Sequence, residues 1–345
     1  MMAPNAGSAQ ALPLRRMKRD RSKRNPEEIM TKPVTTVAGG TPRPAAGQRL
    51  VRRRGRQLRE RCIEGLLFLA AASSVAITFA IVAILVSESL PLFREVSLVD
   101  FLTDRQWTPL FDDAHFGIMT LIAGTATTTA VALAVAIPMG TVIAIYLSEF
   151  ASHRLRETIK PILELLGAVP TVVFGYFALL VVTPLLQRIY PDLPGFNMLS
   201  AGLVMGVMII PYVSSVSEDA MRAVPMHLRE GSYAMGATRL QTAVRVVMPA
   251  AFSGLAAAYI LGISRAVGET MIVAIAAGMQ PNFTMNPLEP AATISAFIVQ
   301  VCLGDLPHDS LGYKTIFAAG LTLMLFTLVF NILGYWLRKR FREIY

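Results

Sequence analysis

The chain has 345 residues, of which 54% are hydrophobic and only 16% charged, and its formal net charge is +9. This composition is typical of a membrane protein and excludes a chain built from ordinary soluble domains. The positive charge is local, because residues 1–61 contain 16 Lys and Arg against 4 Asp and Glu, whereas the rest of the chain contains 16 against 19. No aromatic residues interleave with the arginines, so this segment indicates an anchor near anionic lipid and no nucleic-acid partner.

The N-terminal segment is predicted to lack a fold. Residues 1–50 are rich in Arg, Pro, Gly, Ala and Thr and show no apolar period. Such a composition does not bury enough apolar surface to offset the loss of chain entropy. Residues 1–61 are therefore predicted to be a disordered basic cytoplasmic tail, and residues 62–345 a single transmembrane domain.

Six long apolar segments follow the tail, each long enough to cross about 30 Å of hydrocarbon as a helix. They are residues 62–86, 117–147, 161–186, 197–216, 249–279 and 315–337. The predicted fold class is an all-α polytopic membrane protein with six transmembrane helices. Pro and Gly interrupt several segments, which membranes tolerate only where neighbouring helices satisfy the freed backbone groups, so a packed bundle around a pathway is predicted.

The distribution of Lys and Arg sets the predicted orientation. Basic residues cluster before the first segment, in the loops after the second and fourth, and at the C-terminus, whereas none occurs in residues 266–313. The positive-inside rule places both termini and residues 220–248 in the cytoplasm, and residues 88–116 and 280–312 outside. Residues 291–303 are apolar but too short to span, so they predict a short interfacial or re-entrant helix.

The loop between the fourth and fifth segments differs from its apolar surroundings. Residues 229–249 predict two short helices hinged at Gly236, because Thr238 followed by Gln241 is a capping-box pattern that can start the second helix. Apolar residues of that second helix fall on one face at helical spacing: Leu240, Val244 and Val247. A structured, Arg-containing loop between membrane spans predicts a partner outside the membrane; a solvated surface loop is the alternative.

Two ionisable residues lie inside the fifth segment. Arg265 and Glu269 are four residues apart, which places them on one face if the helix is continuous. A lone Arg at that depth costs at least about 2.5–3.5 kcal/mol, so it needs a partner or an aqueous path. Its planar fork of donors matches a phosphate or carboxylate, so the hypothesis is that Arg265 contacts or gates an anion path while Glu269 holds it. The alternative is a self-neutralising ion pair that only stabilises the bundle.

Several kinds of chemistry have no motif in the chain. There is no G-x-x-x-x-G-K-[ST] phosphate loop, no metal-ligand spacing among the four histidines and two cysteines, and no catalytic constellation. The chain is therefore predicted not to be an enzyme and to hold no metal or cofactor. Energy for active transport must come from a partner or from an ion gradient.

The spacing of the loop resembles the EAA motif of permease subunits in binding-protein-dependent ABC importers, E-A-A-x3-G-x9-I-x-L-P. Glu230-Gly231-Ser232 is followed after three residues by Gly236, and after nine more by Val246-x-Met248-Pro249. Gly and Ser replace the two alanines, and Gly231 costs about 1 kcal/mol relative to Ala in a helix. In that family the loop is a coupling helix seated in a cleft of the ATPase. The resemblance implies coupling roles for Arg229, Glu230, Gly231, Ser232, Gly236, Ala237 and Thr238.

Three further stretches carry a narrower resemblance. They are Trp107-Thr108-Pro109, residues 164–175, and the run from Arg265 to Met271. From about Leu66 onward the chain is similar to the C-type permease of the phosphate-specific importer, which implies the six-helix, MetI-like fold of type I importers. The A-type partner permease shares several of these stretches, and the Trp-Pro sequence of the first outside segment favours the C type.

This resemblance also implies partners. It implies a heterodimer with an A-type permease, an ATPase dimer at the cytoplasmic loop and an extracytoplasmic phosphate-binding protein, all acting on inorganic phosphate in the plasma membrane of a prokaryote. ATP and Mg are then used by the ATPase partner. Arg265 and Glu269 occupy positions of charged residues associated with transport in that family. Two alternatives are a permease for another oxyanion, such as sulfate or molybdate, and an ion-coupled secondary transporter that uses the Arg265–Glu269 pair for protons.

Overall fold

The computed structural model describes residues 54–111 and 113–340, with side chains from Arg59 onward. The described residues are mainly helical, and their one isolated β-bridge joins Trp107 to Phe116. The disordered tail predicted for residues 1–53 lies outside the described residues. The chain divides into two compact units, Met1–Leu67 and Phe68–Tyr345. Of the first, the structure describes only the start of the first helix.

The helices run in chain order as follows. They are α1 (Arg54–Glu95), α2 (Leu98–Thr103), α3 (Met119–Ile145), α4 (His153–Ala168), α5 (Thr171–Phe177), α6 (Thr183–Gln187), α7 (Met198–Arg222), α8 (Met226–Ala234), α9 (Arg239–Thr242), α10 (Met248–Ala250), α11 (Phe252–Val267), α12 (Met271–Ala276), α13 (Ile294–Cys302) and α14 (Leu311–Arg340). Three π-helical turns extend or join them: Tyr146–Phe150 after α3, Ala178–Val182 between α5 and α6, and Ala243–Val247 between α9 and α10.

The first helix begins earlier than predicted. Residues 54–61 were assigned to the disordered tail, but α1 already includes them. The sequence there contains Arg, Gln, Leu and Glu, which are good helix formers, with Gly55 near the end where a helix start tolerates it. The boundary between tail and helix therefore lies at or before Arg54.

Six membrane spans are present when two bent helix pairs are each counted as one. Four described helices are long and apolar enough to cross alone: α1, α3 with its π turn, α7 and α14. The third predicted segment is instead α4 followed by α5 and α6, bent by 85°, and the fifth begins with a 77° bend between α10 and α11. At the first bend Val169 is extended (φ −64°, ψ 131°), since a residue before proline is pushed out of the helical region by Pro170.

The centre of the bundle is α7. Of its most apolar stretch, 61% is buried, whereas side chains of α1 such as Phe68, Phe79 and Ile84 are exposed. Gly202 and Gly206 let α7 approach α3, because a Cβ at either position would meet Val131 or the carbonyl of Ala132. A small residue every four positions permits such contact between membrane helices. Helix α7 thus contributes most of the side chains that surround the site.

The two segments predicted to lie outside, residues 88–116 and 280–312, pack onto the same bundle. Helix α13 is the short helix predicted within residues 280–312, and its first N–H, from Ile294, donates to Thr125 Oγ1 of α3 at 3.1 Å. Trp107, from the segment after α2, is only 2% exposed and packs edge-on against Phe297 of α13, with ring centroids 5.0 Å apart. This tryptophan is therefore a core residue.

Candidate functional site: the Arg265 region and the cytoplasmic-type loop

Helix α11 ends between the two charged residues of the fifth segment. Val267 is its last residue and Gly268 caps it, so Glu269 lies in the break before α12. The expectation that Arg265 and Glu269 share one helical face is therefore wrong. The two side chains are both described, and the ion pairs found among described residues do not include this pair. Glycine has a low helix propensity, and here Gly268 ends α11 before the helix reaches Glu269.

Arg265 is held by contacts that do not neutralise it. Its guanidinium carbon lies 4.6 Å from the ring centroid of Tyr212, and Nη2 lies 3.8 Å from the sulfur of Met208. The buried Nε has no hydrogen-bond partner among the described atoms. Stacking on an aromatic face orients the planar fork and partly compensates the lost hydration of the cation. The side chain therefore keeps its charge and at least one unused donor.

Tyr212 links Arg265 to the bend between α4 and α5. Its hydroxyl donates to the carbonyl oxygen of Gly167 at 3.1 Å, three residues before Pro170. Both residues border a groove of about 320 Å³ whose lining also includes the carboxylate-bearing Glu164. Glu164 is exposed in this groove, so a carboxylate lines the same space as the Tyr212 ring that contacts Arg265.

Glu269 acts locally as a backbone acceptor. It is 7% exposed, and its Oε1 accepts from the backbone N–H groups of Met271 at 3.2 Å and Ile272 at 3.5 Å, at the start of α12. Its own carbonyl accepts from the hydroxyl of Ser295 at 2.7 Å. A carboxylate at a helix start is stabilised by free N–H groups and by the helix dipole. Glu269 thus fixes the break after α11 and ties it to α13.

The predicted two-helix loop is present. Helices α8 and α9 are separated by Met235–Thr238, and Gly236 has φ +82°, a conformation that side-chain-bearing residues rarely adopt. The capping box is complete, since Thr238 Oγ1 accepts from Gln241 N and Gln241 Oε1 accepts from Thr238 N. The hydroxyls of Ser232 and Thr242 are 2.9 Å apart and join the two helices.

Arg229 faces inward from this loop. It is 8% exposed, and its Nη2 and Nε donate to the two carboxylate oxygens of Glu149 at 3.0 and 3.3 Å. The carbonyls of Val224 and Met221 accept from its Nη1 and Nη2. These contacts fasten α8 to the π turn after α3 and to the end of α7.

The other predicted coupling residues lie at the surface. Glu230, Gly231, Gly236 and Thr238 are exposed, and Ser232 and Ala237 are half-buried. Around them stands an apolar surface, called here the loop face: Met226, Tyr233, Met235, Leu240 and Val244. Met235 is the most open, at 88% exposure. Val247 was grouped with Leu240 and Val244 but is fully buried, because the π turn shifts it towards the core with Ala243.

A buried carboxylate joins α7 to α4 next to the loop. Glu218 is fully buried, and it accepts from Arg156 Nε and from Lys160 Nζ at 3.1 Å. Arg222 of α7 is farther from Glu218, at 3.8 Å, while Asp219 pairs with Lys160 at 2.9 Å. One buried anion is thus shared by cations from two helices, which holds the first half of the bent span against α7.

Sequence comparison assigns the chain to a class. A family model described as "Binding-protein-dependent transport system inner membrane component" matches residues 136–343, which is more than half of the chain. The chain therefore belongs to this family and is a multi-pass membrane permease of the inner membrane. The match covers α7, the loop and Arg265, so the features described above lie within the family's shared domain.

Individual relatives indicate which kind of permease within this family the chain resembles. The chain is 34% identical to "Probable ABC transporter permease protein YqgH" of Bacillus subtilis, over 84% of this chain and 94% of the relative. It is 33% identical to "Phosphate transport system permease protein PstC" of Mesorhizobium japonicum, over 68% of this chain and 76% of that one. The resemblance to the C-type permease drawn from the sequence is confirmed.

Solved structures agree on the fold. A chain of a bacterial alginate ABC transporter, crystallised with a pentasaccharide-bound periplasmic protein, matches with a TM-score of 0.59 at 18% identity, covering 84% of this chain and 98% of that one. A second structure of a bacterial transporter that imports alginate gives a TM-score of 0.57. The predicted all-α importer-permease fold is therefore confirmed.

Proposed function

We propose that the chain is the membrane permease subunit through which an ATP-driven importer moves inorganic phosphate into the cell. Relatives named as phosphate transport permeases support the cargo. The observation that carries the proposal is Arg265, a cation inside a membrane span with an unused buried donor and no acidic partner among the described residues. A phosphate oxygen is the acceptor that such a group lacks.

The same arrangement argues against a proton-coupled secondary transporter. That alternative requires a direct ion pair between Arg265 and Glu269 that couples transport to protons. Glu269 instead accepts from the start of α12, and Arg265 stacks on Tyr212. A phosphate passing Arg265 thus meets a cation that is already oriented and does not have to be released from a carboxylate.

The partner assignments belong to this proposal. An A-type permease completes the pathway, an ATPase dimer supplies ATP hydrolysis at the loop face, and an extracytoplasmic binding protein delivers phosphate. The exposed apolar side chains of the loop face are the kind that a protein partner covers, since charged residues are depleted at the centres of interfaces. Both termini are then cytoplasmic, as the Lys and Arg distribution requires.

The test is uptake of labelled phosphate into proteoliposomes that contain the complete importer. Arg265→Gln is expected to lower uptake by about 10- to 100-fold, because a hydrogen bond to a charged group contributes about 1.5–3 kcal/mol. Arg245→Gln, an exposed arginine of the loop region, is the matched control and is expected to retain uptake. Normal uptake by Arg265→Gln would refute the role of Arg265.

Two further arms separate the alternatives. A partner ATPase with an inactive phosphate loop should abolish uptake, whereas ATP-independent uptake would indicate a gradient-driven transporter. Unlabelled sulfate and molybdate should not compete with phosphate. Competition by either anion would indicate that the importer carries another oxyanion, and the assignment of the chain to the permease class would remain.

A further inference from the structure

A basic groove lies between α11 and α14, near the last turns of α14. Its volume is about 480 Å³. It is lined by Ser253, Gly254 and Ala257 of α11 and by Tyr335, Arg338 and Lys339 of α14. The lining contains no Asp or Glu, so the only charges in this largely apolar groove are positive.

The groove exists because the two helices are held together on one side of it by close contacts, while α11 presents small side chains beside it. Gly334 of α14 packs against the side chain of Ile260, and Ser264 Oγ donates to Asn331 Oδ1 at 3.3 Å. Nearer the start of α11, Ala257 presents only a methyl group, while Gly254 packs closely against Ala220 of α7. The space that larger residues would fill therefore stays open beside the basic end of α14.

The two cations of the groove have no acidic partner among the described residues. Arg338 and Lys339 are exposed, and neither takes part in the ion pairs found in residues 54–111 and 113–340. At the other end of the same helix, Lys314 is paired with Glu88. Within the described residues, the charge at the groove is thus not neutralised by an acidic side chain.

The surface that leads to the groove is suited to hydrocarbon. Leu328, Val329 and Ile332 of α14 are exposed and apolar, and they are followed by exposed Tyr335 and Trp336. Aromatic residues at the end of an apolar helix face mark the boundary between hydrocarbon and head groups. Arg338 and Lys339 follow within one turn, which places the groove at head-group depth.

We propose that this groove binds the head group of an acidic phospholipid. The phosphate accepts from Arg338 and Lys339, and the acyl chains lie along the exposed apolar face of α14. Basic pockets between transmembrane helices recognise anionic head groups in this way. The site is separate from Arg265 and does not depend on which anion the importer carries.

The test is native mass spectrometry of the complete importer after exchange into mixtures of phosphatidylglycerol and phosphatidylcholine. The wild type is expected to retain phosphatidylglycerol selectively. Arg338→Gln together with Lys339→Gln should weaken that retention roughly 30-fold, since each basic side chain near an anionic surface contributes about a factor of five. Arg239→Gln with Arg245→Gln removes the same charge from two exposed arginines that do not line the groove, and should leave retention unchanged.

A second variant fills the groove without altering charge. Ala257→Leu should also reduce phosphatidylglycerol retention while the complex still assembles and transports. Inorganic phosphate at millimolar concentration should not displace the lipid; displacement would identify a free-phosphate site and overturn the proposal. Equal retention by wild type, the Arg338/Lys339 double variant and Ala257→Leu would likewise overturn it, as would equal binding of the two lipids.

Discussion

The buried ion pair between Glu149 and Arg229 is expected to determine whether the loop between α7 and α10 moves together with the membrane helices. The perturbation is Glu149→Gln, which keeps the shape of the side chain and removes its charge. The side chains of Glu149 and Arg229 are only 4% and 10% exposed, and two hydrogen bonds join them. Replacing the carboxylate therefore leaves a buried cation without its counter-ion.

The magnitude follows from the partners that remain. Removing one partner of a buried pair costs about 3–5 kcal/mol. Arg229 still donates to the carbonyls of Met221 and Val224, and Gln still offers one acceptor oxygen, so the expected cost lies at the lower limit, about 3 kcal/mol. That cost favours release of α8 from the end of α3. The importer should then still hydrolyse ATP, while its phosphate uptake falls at least tenfold.

The assay compares ATP hydrolysis with phosphate uptake in the same proteoliposomes. Glu157→Gln is the matched control, because Glu157 forms an exposed pair with His153 at 3.2 Å, and such pairs contribute little. Adding Arg229→Gln to Glu149→Gln should cost less than the sum of the two single changes, since the pair is already broken. Full coupling in Glu149→Gln, with the complex assembled normally, would refute the role assigned to this pair.

Three further predictions concern the loop and the outside segment. Gly236→Pro should uncouple ATP hydrolysis from uptake while the complex still reaches the membrane, because φ +82° is incompatible with proline. Gly236→Asn should stay coupled, since asparagine tolerates this conformation. Full coupling of the proline variant would contradict the role of Gly236 as a hinge. Gly231→Ala should stabilise the isolated permease by up to about 1 kcal/mol, because Ala favours a helix over Gly and a Cβ at this position meets no atom of the chain within 4 Å. Its melting temperature should therefore rise, and a lower melting temperature would contradict the prediction. The Asp104 carboxylate raises the pKa of His115 by accepting a hydrogen bond from its Nδ1. The segment around His115 should therefore be protected from hydrogen exchange below the ordinary pKa of histidine and lose that protection as pH rises through the raised value. Asp104→Asn should remove this pH dependence, and its persistence would contradict the assignment.

The sequence predicts the spans well because their signal is local. Hydropathy locates all six apolar segments, and the Thr238–Gln241 pattern correctly starts α9. The two sharp bends are missed, although Pro170 marks the first. Apolar length measures how much hydrocarbon a segment can cover, and it carries no information on where the chain turns.

The prediction that Arg265 and Glu269 share one helical face is wrong for a related reason. Spacing of four residues puts side chains together only in a continuous helix, and Gly268 interrupts this one. The signal was present in the sequence as a glycine between the two charges. The Glu149–Arg229 pair had no such signal, because its members are 80 residues apart and meet only through the packing of α3 and α7.

The polar contacts of both regions converge on α7, which gives a physical route between them. Met208 and Tyr212 hold Arg265, while the carbonyl of Met221 accepts from Arg229 of the loop. From Met208 to Met221 a helix extends about 20 Å, and α7 is the most buried of the four continuous spans described. Helix α7 is continuous and buried between these residues, with Pro211 inside it, so a displacement at one end is expected to move the groups fixed to the other. We therefore expect a displacement of the loop by its partner to reach Arg265 through α7, and the Glu149–Arg229 pair to be required for it.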